Sequence, residues 1–184
     1  MPVIQKAASL DVGSWREEAL EEARWRQPPG VFLKQAAPGG VDLWSEVVVD
    51  APHGQVDPGY ESRHWFRAEV RWVEGALPEA ICKAVPHYFS LIYGEESSPG
   101  ALEAFTVDGR KAWKLFSGIH GYDGAHYFVE LGPRRTLAIT VYTIGGSILE
   151  GSFQRRHRKI REQQEAIRDR MIASIRFESG QIGP

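Results

Sequence analysis

Residues 104–144 hold four extended patterns separated by turn signals, and this succession constrains the fold more than any other part of the chain. In "AFTVDGRKAWKLF" the pair Asp108-Gly109 divides two strand-like runs. Asp-Gly suits a two-residue hairpin turn, whose central positions need positive φ. "HYFVEL" and "TLAITVYTI" follow, and "GPRR" between them reads as a second hairpin turn. Upstream, residues 65–73 alternate. Phe66, Ala68, Val70 and Trp72 take one face, and Trp65, Arg67, Glu69 and Arg71 the other, the period of a strand with one buried face. "LWSEVVVD", Leu43 to Asp50, reads as a further strand, and "SIRFES" as a short closing strand or apolar tail.

Three helices are expected around these strands. Ser14 precedes Glu17 at capping-box spacing, which predicts an acidic helix from about Trp15 to Trp25 carrying Glu17, Glu18, Glu21 and Glu22. The prolines of "QPPGVF" would end it. In "ALPEAICKAVPHYFSLIYGE", Ile81, Val85, Tyr88, Phe89 and Ile92 form an apolar stripe at helical spacing, with a break expected near Ala84–Val85 because Pro86 removes a ladder hydrogen bond. The third helix, "FQRRHRKIREQQEAIRDRM", has Ile160, Ile167 and Met171 as its stripe, continued by Ile175. The order is that of an α+β chain, an antiparallel β-sheet of about five to seven strands flanked by helices as an α/β/α sandwich, with an N-terminal helical extension. The turn "APGG" divides it into an extension, residues 1–40, and a main domain, residues 41–184.

The third helix opens with Arg155, Arg156, Arg158, Lys159 and Arg161, where the helix dipole favours acids. Arg158–Glu162 and Arg161–Glu165 are i,i+4 neighbours. Arg155, Arg156 and Lys159 have no such neighbour and are expected to meet the acidic helix, of the same chain or of a twin in a homodimer, or else an acidic protein partner. Trp65, Arg67 and Arg71 form a second candidate partner-binding set, because aromatic and arginine side chains together suit recognition of a peptide or a single-stranded nucleic acid, but a face covered by a helix, such as the acidic one, is the favoured reading. The net charge of −2 sets nucleic acid aside as the expected partner, since it offers no general attraction to phosphate.

The single cysteine, Cys82, excludes an internal disulfide and fits a reducing compartment. The first residues contain no apolar run of signal-peptide length, and no segment reaches the length of a membrane span. A cytoplasmic protein without membrane insertion is therefore expected. His120, Asp123 and His126 in "HGYDGAH" are ligand types for zinc or iron, but H-x2-D-x2-H on a Gly-rich connection matches no short metal motif, and a polar turn is the expected role. Cys82 and His87, five apart on a helix with Pro86 between them, diverge by about 140° and do not make a nucleophile–base pair. No phosphate-binding loop, dinucleotide fingerprint or nucleophile elbow occurs. No cofactor is expected.

From Val41 to Phe177 the chain resembles the PsbP-like superfamily, which includes the Ran-binding Mog proteins, the DcrB-like lipoproteins and the Eag chaperones of type VI secretion effectors. The resemblance rests on "FTVDGRKAWKL" as a hairpin around a glycine, "HYFVELGPRRTLAITVYT" as the next strand pair, and "IRDRMIASIRF" as a closing helix with its tail. The opening segment of that group has no counterpart here. The resemblance implies non-enzymatic protein binding, most like a chaperone or adaptor for a secreted effector, with a partner encoded nearby. Two alternatives stand beside it: an immunity protein that neutralises a toxin by charge-complementary docking, and a small metal-dependent hydrolase built on His120, Asp123 and His126.

Overall fold

The computed structural model describes residues 12–28, 31–37, 40–45, 67–75, 77–84, 102–119, 122–144 and 152–178. After a short 3-10 turn at Val12–Ser14 come strands β1 (Arg16–Leu20), β2 (Ala23–Gln27), β3 (Val31–Ala37), β4 (Gly40–Ser45) and β5 (Arg67–Glu74). Helix α1 (Leu77–Ala84) precedes β6 (Glu103–Val107), β7 (Arg110–Ile119), β8 (Tyr122–Gly132) and β9 (Arg135–Ile144). The long helix α2 (Ser152–Ala173) and a two-residue strand β10 (Arg176–Phe177) close the order.

Seven strands form one sheet in the order β3-β4-β5-β9-β8-β7-β6, and every described pairing in it is antiparallel. The two hairpins read in the sequence are present. Asp108 and Gly109 turn β6 into β7 with φ of 50° and 73°, the left-handed backbone that Asp-Gly tolerates. Residues 133–134 turn β8 into β9. The alternation around Ala68 and Val70 is also present: both are fully buried, while Arg67 on the opposite face is exposed.

The N-terminal segment departs from expectation. The predicted acidic helix is instead a β-hairpin, β1–β2, turning at Glu21–Glu22 with Glu21 at φ 52°. Helix propensity in "REEALEEARWR" is outweighed by burial that only a strand delivers. Ala23, Trp25 and Gln27 all point inward at a period of two, while Arg24 and Arg26 remain partly exposed. Trp25 is 1% exposed although its indole N–H has no acceptor among the described residues. That costs about 1–3 kcal/mol, comparable to the gain of roughly 1.5–3 kcal/mol from burying one large apolar side chain, so neighbouring Trp15 and Ala23 share in holding the segment down. β2 also pairs with β10, placing the small sheet β1-β2-β10 at the junction of both ends of the fold.

The large sheet has two differently covered faces. On one, Val41, Leu43, Ala68, Val70, Ile139 and Val141 join Trp15 and Trp25 of the hairpin and Ile167, Met171 and Ile175 of the C-terminal segment in one core. Gly40 begins β4 and pairs with Ala37 at the turn end of the β3–β4 hairpin. On the opposite face α1 packs through Ile81 on Leu115, Phe128 and Ala138. α1 is described as far as Ala84, and the Cys82 side chain, Pro86 and His87 lie outside the described side chains and residues.

His126 is buried on β8, with Nδ1 2.9 Å from Thr140 Oγ1 across the β8–β9 ladder. Burial pushes its pKa down from 6.5 to about 4. The unfolded chain therefore binds this proton more readily than the fold does. Its contribution is complete above pH 6.5 and is lost as pH falls towards 4, reaching about 3 kcal/mol. Urea unfolding at pH 7 and pH 4.5 is expected to show that loss, and His126→Gln to flatten this part of the profile. A wild-type profile indistinguishable from that of the variant would contradict it.

Candidate functional site

α2 packs on β9 and β2, so the outer strands β7 and β6 run past its flank. The angle between helix and strands is an open cleft of about 510 Å³. Phe105, Val107, Lys114, Phe116 and Tyr127 line it from the sheet, and Arg168, Asp169 and Ile172 from the helix. The residue spacing explains the lining. From the Asp108-Gly109 turn, Ala112, Lys114 and Phe116 fall on one face of β7, opposite Phe105 of β6 and Tyr127 of β8 in the ladder. Phe105 and Tyr127 meet edge to face, with centroids 5.9 Å apart at 73°.

Phe116 is 46% exposed, the one large apolar side chain classed as exposed among the described residues. Two cations flank it: Lys114 Nζ lies 5.6 Å from the ring centroid and the Arg168 guanidinium carbon 5.7 Å. Lys114 also pairs with Glu103 at 2.7 Å, and Arg168 Nε donates to Asp169 Oδ1 at 2.9 Å. Burial pushes the Tyr127 phenol up to about 12, opposed by Arg168 and assisted by Asp169 and Glu165. At neutral pH it is therefore a protonated donor rather than a base. A strap from the C-terminal segment closes one end, where the Phe177 amide donates to Asp108 Oδ2 at 2.8 Å and Arg110 lies 4.9 Å from the Phe177 ring centroid.

The residues singled out from sequence are not brought together here. Arg155, Arg156, Arg158 and Lys159 lie on α2, with side chains outside the described set. Arg161 pairs with Glu165 at 2.9 Å, the i,i+4 contact anticipated. Trp65 lies outside the described residues. Arg71 is committed within the sheet: it pairs with Asp42 and donates to the Val41 carbonyl at 2.7 Å and the Val70 carbonyl at 3.1 Å. It crosses Gly40 so closely that a Cβ there would collide with its chain. Arg67 pairs with Glu69 at 3.1 Å and lies 4.8 Å from the Tyr142 ring centroid, while the Tyr142 hydroxyl donates to Glu69 at 3.2 Å.

His120 lies outside the described residues, and His126 is spent on Thr140. The Asp123 side chain lies outside the described set. No metal-ligating cluster occurs among the described residues. No described helix is long and apolar enough to cross a membrane. The sequence reading passed over Lys114, Phe116 and Arg168. The available signal was a lysine and a phenylalanine sharing a strand face with the buried Ala112.

No family model and no curated protein matches the chain. Among solved structures, a point mutant of the protein Mog1 is 11% identical over 89% of this chain and 96% of that one, with a TM-score of 0.48. The Ran-binding protein Mog1p of Saccharomyces cerevisiae is 11% identical over the same shares, with a TM-score of 0.46. A protein of Bacteroides thetaiotaomicron is 10% identical over 98% of this chain and 52% of that one, with a TM-score of 0.43. No residue role is carried across at this identity.

The acids of the hairpin turn have a cationic partner other than the basic run of α2. Glu21 and Glu22 both pair with Arg135, the first residue of β9, whose guanidinium lies 4.0 Å from the Trp72 ring centroid. Reversing both acids to Lys is expected to destabilise the fold by about 1 kcal/mol, the scale of partly exposed pairs, and adding Arg135→Glu to restore part of it. Melting temperatures of wild type and the two variants test this. Equal losses in the double and triple variants would leave the contact without energetic weight.

Proposed function

We propose that this chain is a non-enzymatic protein-binding protein of the chaperone or adaptor kind, which holds a client segment in the cleft between α2 and the β6–β7 hairpin. The observation that carries this reading is Phe116, held 46% exposed at an opening backed by Phe105, Tyr127 and Ile172. Removing such a ring from water on docking is a source of binding free energy, and aromatic anchors dominate many interfaces. A secreted effector encoded nearby is the client class that the sequence resemblance implies.

The test compares wild type with Phe116→Glu in quantitative affinity capture from the native host. Because the ring is exposed, the melting temperature should stay within the range of surface substitutions, about 0.5 kcal/mol in stability. A stoichiometric partner should bind wild type and fall at least about thirtyfold in affinity with the variant, as for a hot-spot residue worth about 2 kcal/mol. A partner held equally by both proteins, and lost instead when Arg155, Arg156 and Lys159 are changed to Glu, would move the site to the helix. That result would favour charge-led docking of the immunity type.

A further inference from the structure

We propose that the cleft selects an extended segment in which an apolar side chain is closely followed or preceded by a carboxylate. This inference rests on the reading of the cleft as the docking site and adds the chemistry of the partner. Its first support is Arg168. The side chain is only 11% exposed, yet among the described residues its single hydrogen-bond acceptor is Asp169, reached through Nε. Among the described residues neither terminal nitrogen has an acceptor, and neither is shut away from solvent, so both are open to a ligand in the cleft that Arg168 lines. A planar fork of this kind matches a carboxylate in bidentate geometry.

The second support is Lys114, on the other side of Phe116, whose described ion-pair partner is the well-exposed Glu103. Exposed pairs contribute little, so an incoming carboxylate competes for the ammonium at small cost. The third is the edge strand β6, which among the described residues pairs with β7 alone. Its outer backbone groups are suited to an added strand. A segment paired there would direct alternate side chains to the sheet face on which the cleft opens.

Selection from a displayed random dodecapeptide library on the wild-type protein, with each enriched peptide then measured on Phe116→Glu, tests this. Enriched peptides should carry Asp or Glu two positions from an apolar residue. One such peptide, synthesised with its acid and with the matching amide, should bind wild type about tenfold more tightly as the acid at low salt. The ratio should shrink as salt is raised, and should approach one on Arg168→Gln. If that variant unfolds, the acid-to-amide ratio on wild type and its salt dependence still decide the matter. Peptides that need Phe116 but bind equally as acid and amide would overturn the inference and leave the cleft reading standing. Peptides indifferent to Phe116→Glu would overturn both, and a selection that enriches nothing would overturn the inference.

Discussion

Everything in this fold depends on one contact: the inward stripe of α2 and its tail, Ile167, Met171 and Ile175, pressed with Trp25 onto Val70, Ile139 and Val141. Each partner in that contact comes from a different stretch of chain. The hairpin β1–β2 has no core of its own, and a two-stranded ribbon in water is marginal. α2 is rich in Arg, Glu and Gln, so its stability depends on the few apolar residues that face the sheet. Packing both on one sheet face solves the two problems together. β10 then stitches α2 back to β2 through pairing at Arg176–Arg24 and Phe177–Ala23, with Arg24 and Glu178 joined by an ion pair at 2.8 Å.

The same packing creates the cleft. A helix covers only part of a seven-stranded sheet, and α2 settles over β9. The overhang at β6–β7 keeps an apolar face, and the chain clothes it with what is nearby: Ile172 from the helix, Phe105 and Tyr127 from the sheet, and two cations over Phe116. Arg168 follows directly on Ile167 and precedes Met171 by three residues, so the stripe that anchors the helix also determines where this guanidinium sits. Fold and site share their residues at this point.

The antiparallel hairpins, the half-buried strand β5 and the helix α2 are legible in the sequence because each rests on a local cause: a turn dipeptide, a period of two, or an apolar stripe. The N-terminal hairpin is not legible for a converse reason. "REEALEEARWR" is locally a good helix, and the alternation of Ala23, Trp25 and Gln27 spans too few residues to compete on its own. It becomes a strand because β10, about 150 residues away in the chain, supplies an edge and because the core accepts Trp25. Arg67 and Arg71 show the same limit. Their place on one strand face is readable, but the acceptors that occupy Arg71, the carbonyls of residues 41 and 70, are tertiary or backbone features with no sequence signature.

Charge alone is therefore a poor guide to docking in this protein, and the acceptor inventory is a better one. Arg71, Arg135 and Arg168 all carry the same group at moderate to low exposure. Arg71 is closed by Asp42 and two carbonyls, and Arg135 by Glu21, Glu22 and the face of Trp72. Among the described residues Arg168 has one acceptor through one nitrogen, beside an exposed aromatic ring. A guanidinium whose donors are already taken by the fold has little left for a ligand, and one with few acceptors keeps its donors available. At Arg71 and Arg135 the fold takes the donors. At Arg168 the free donors lie in the wall of an open cleft, within reach of a ligand carboxylate.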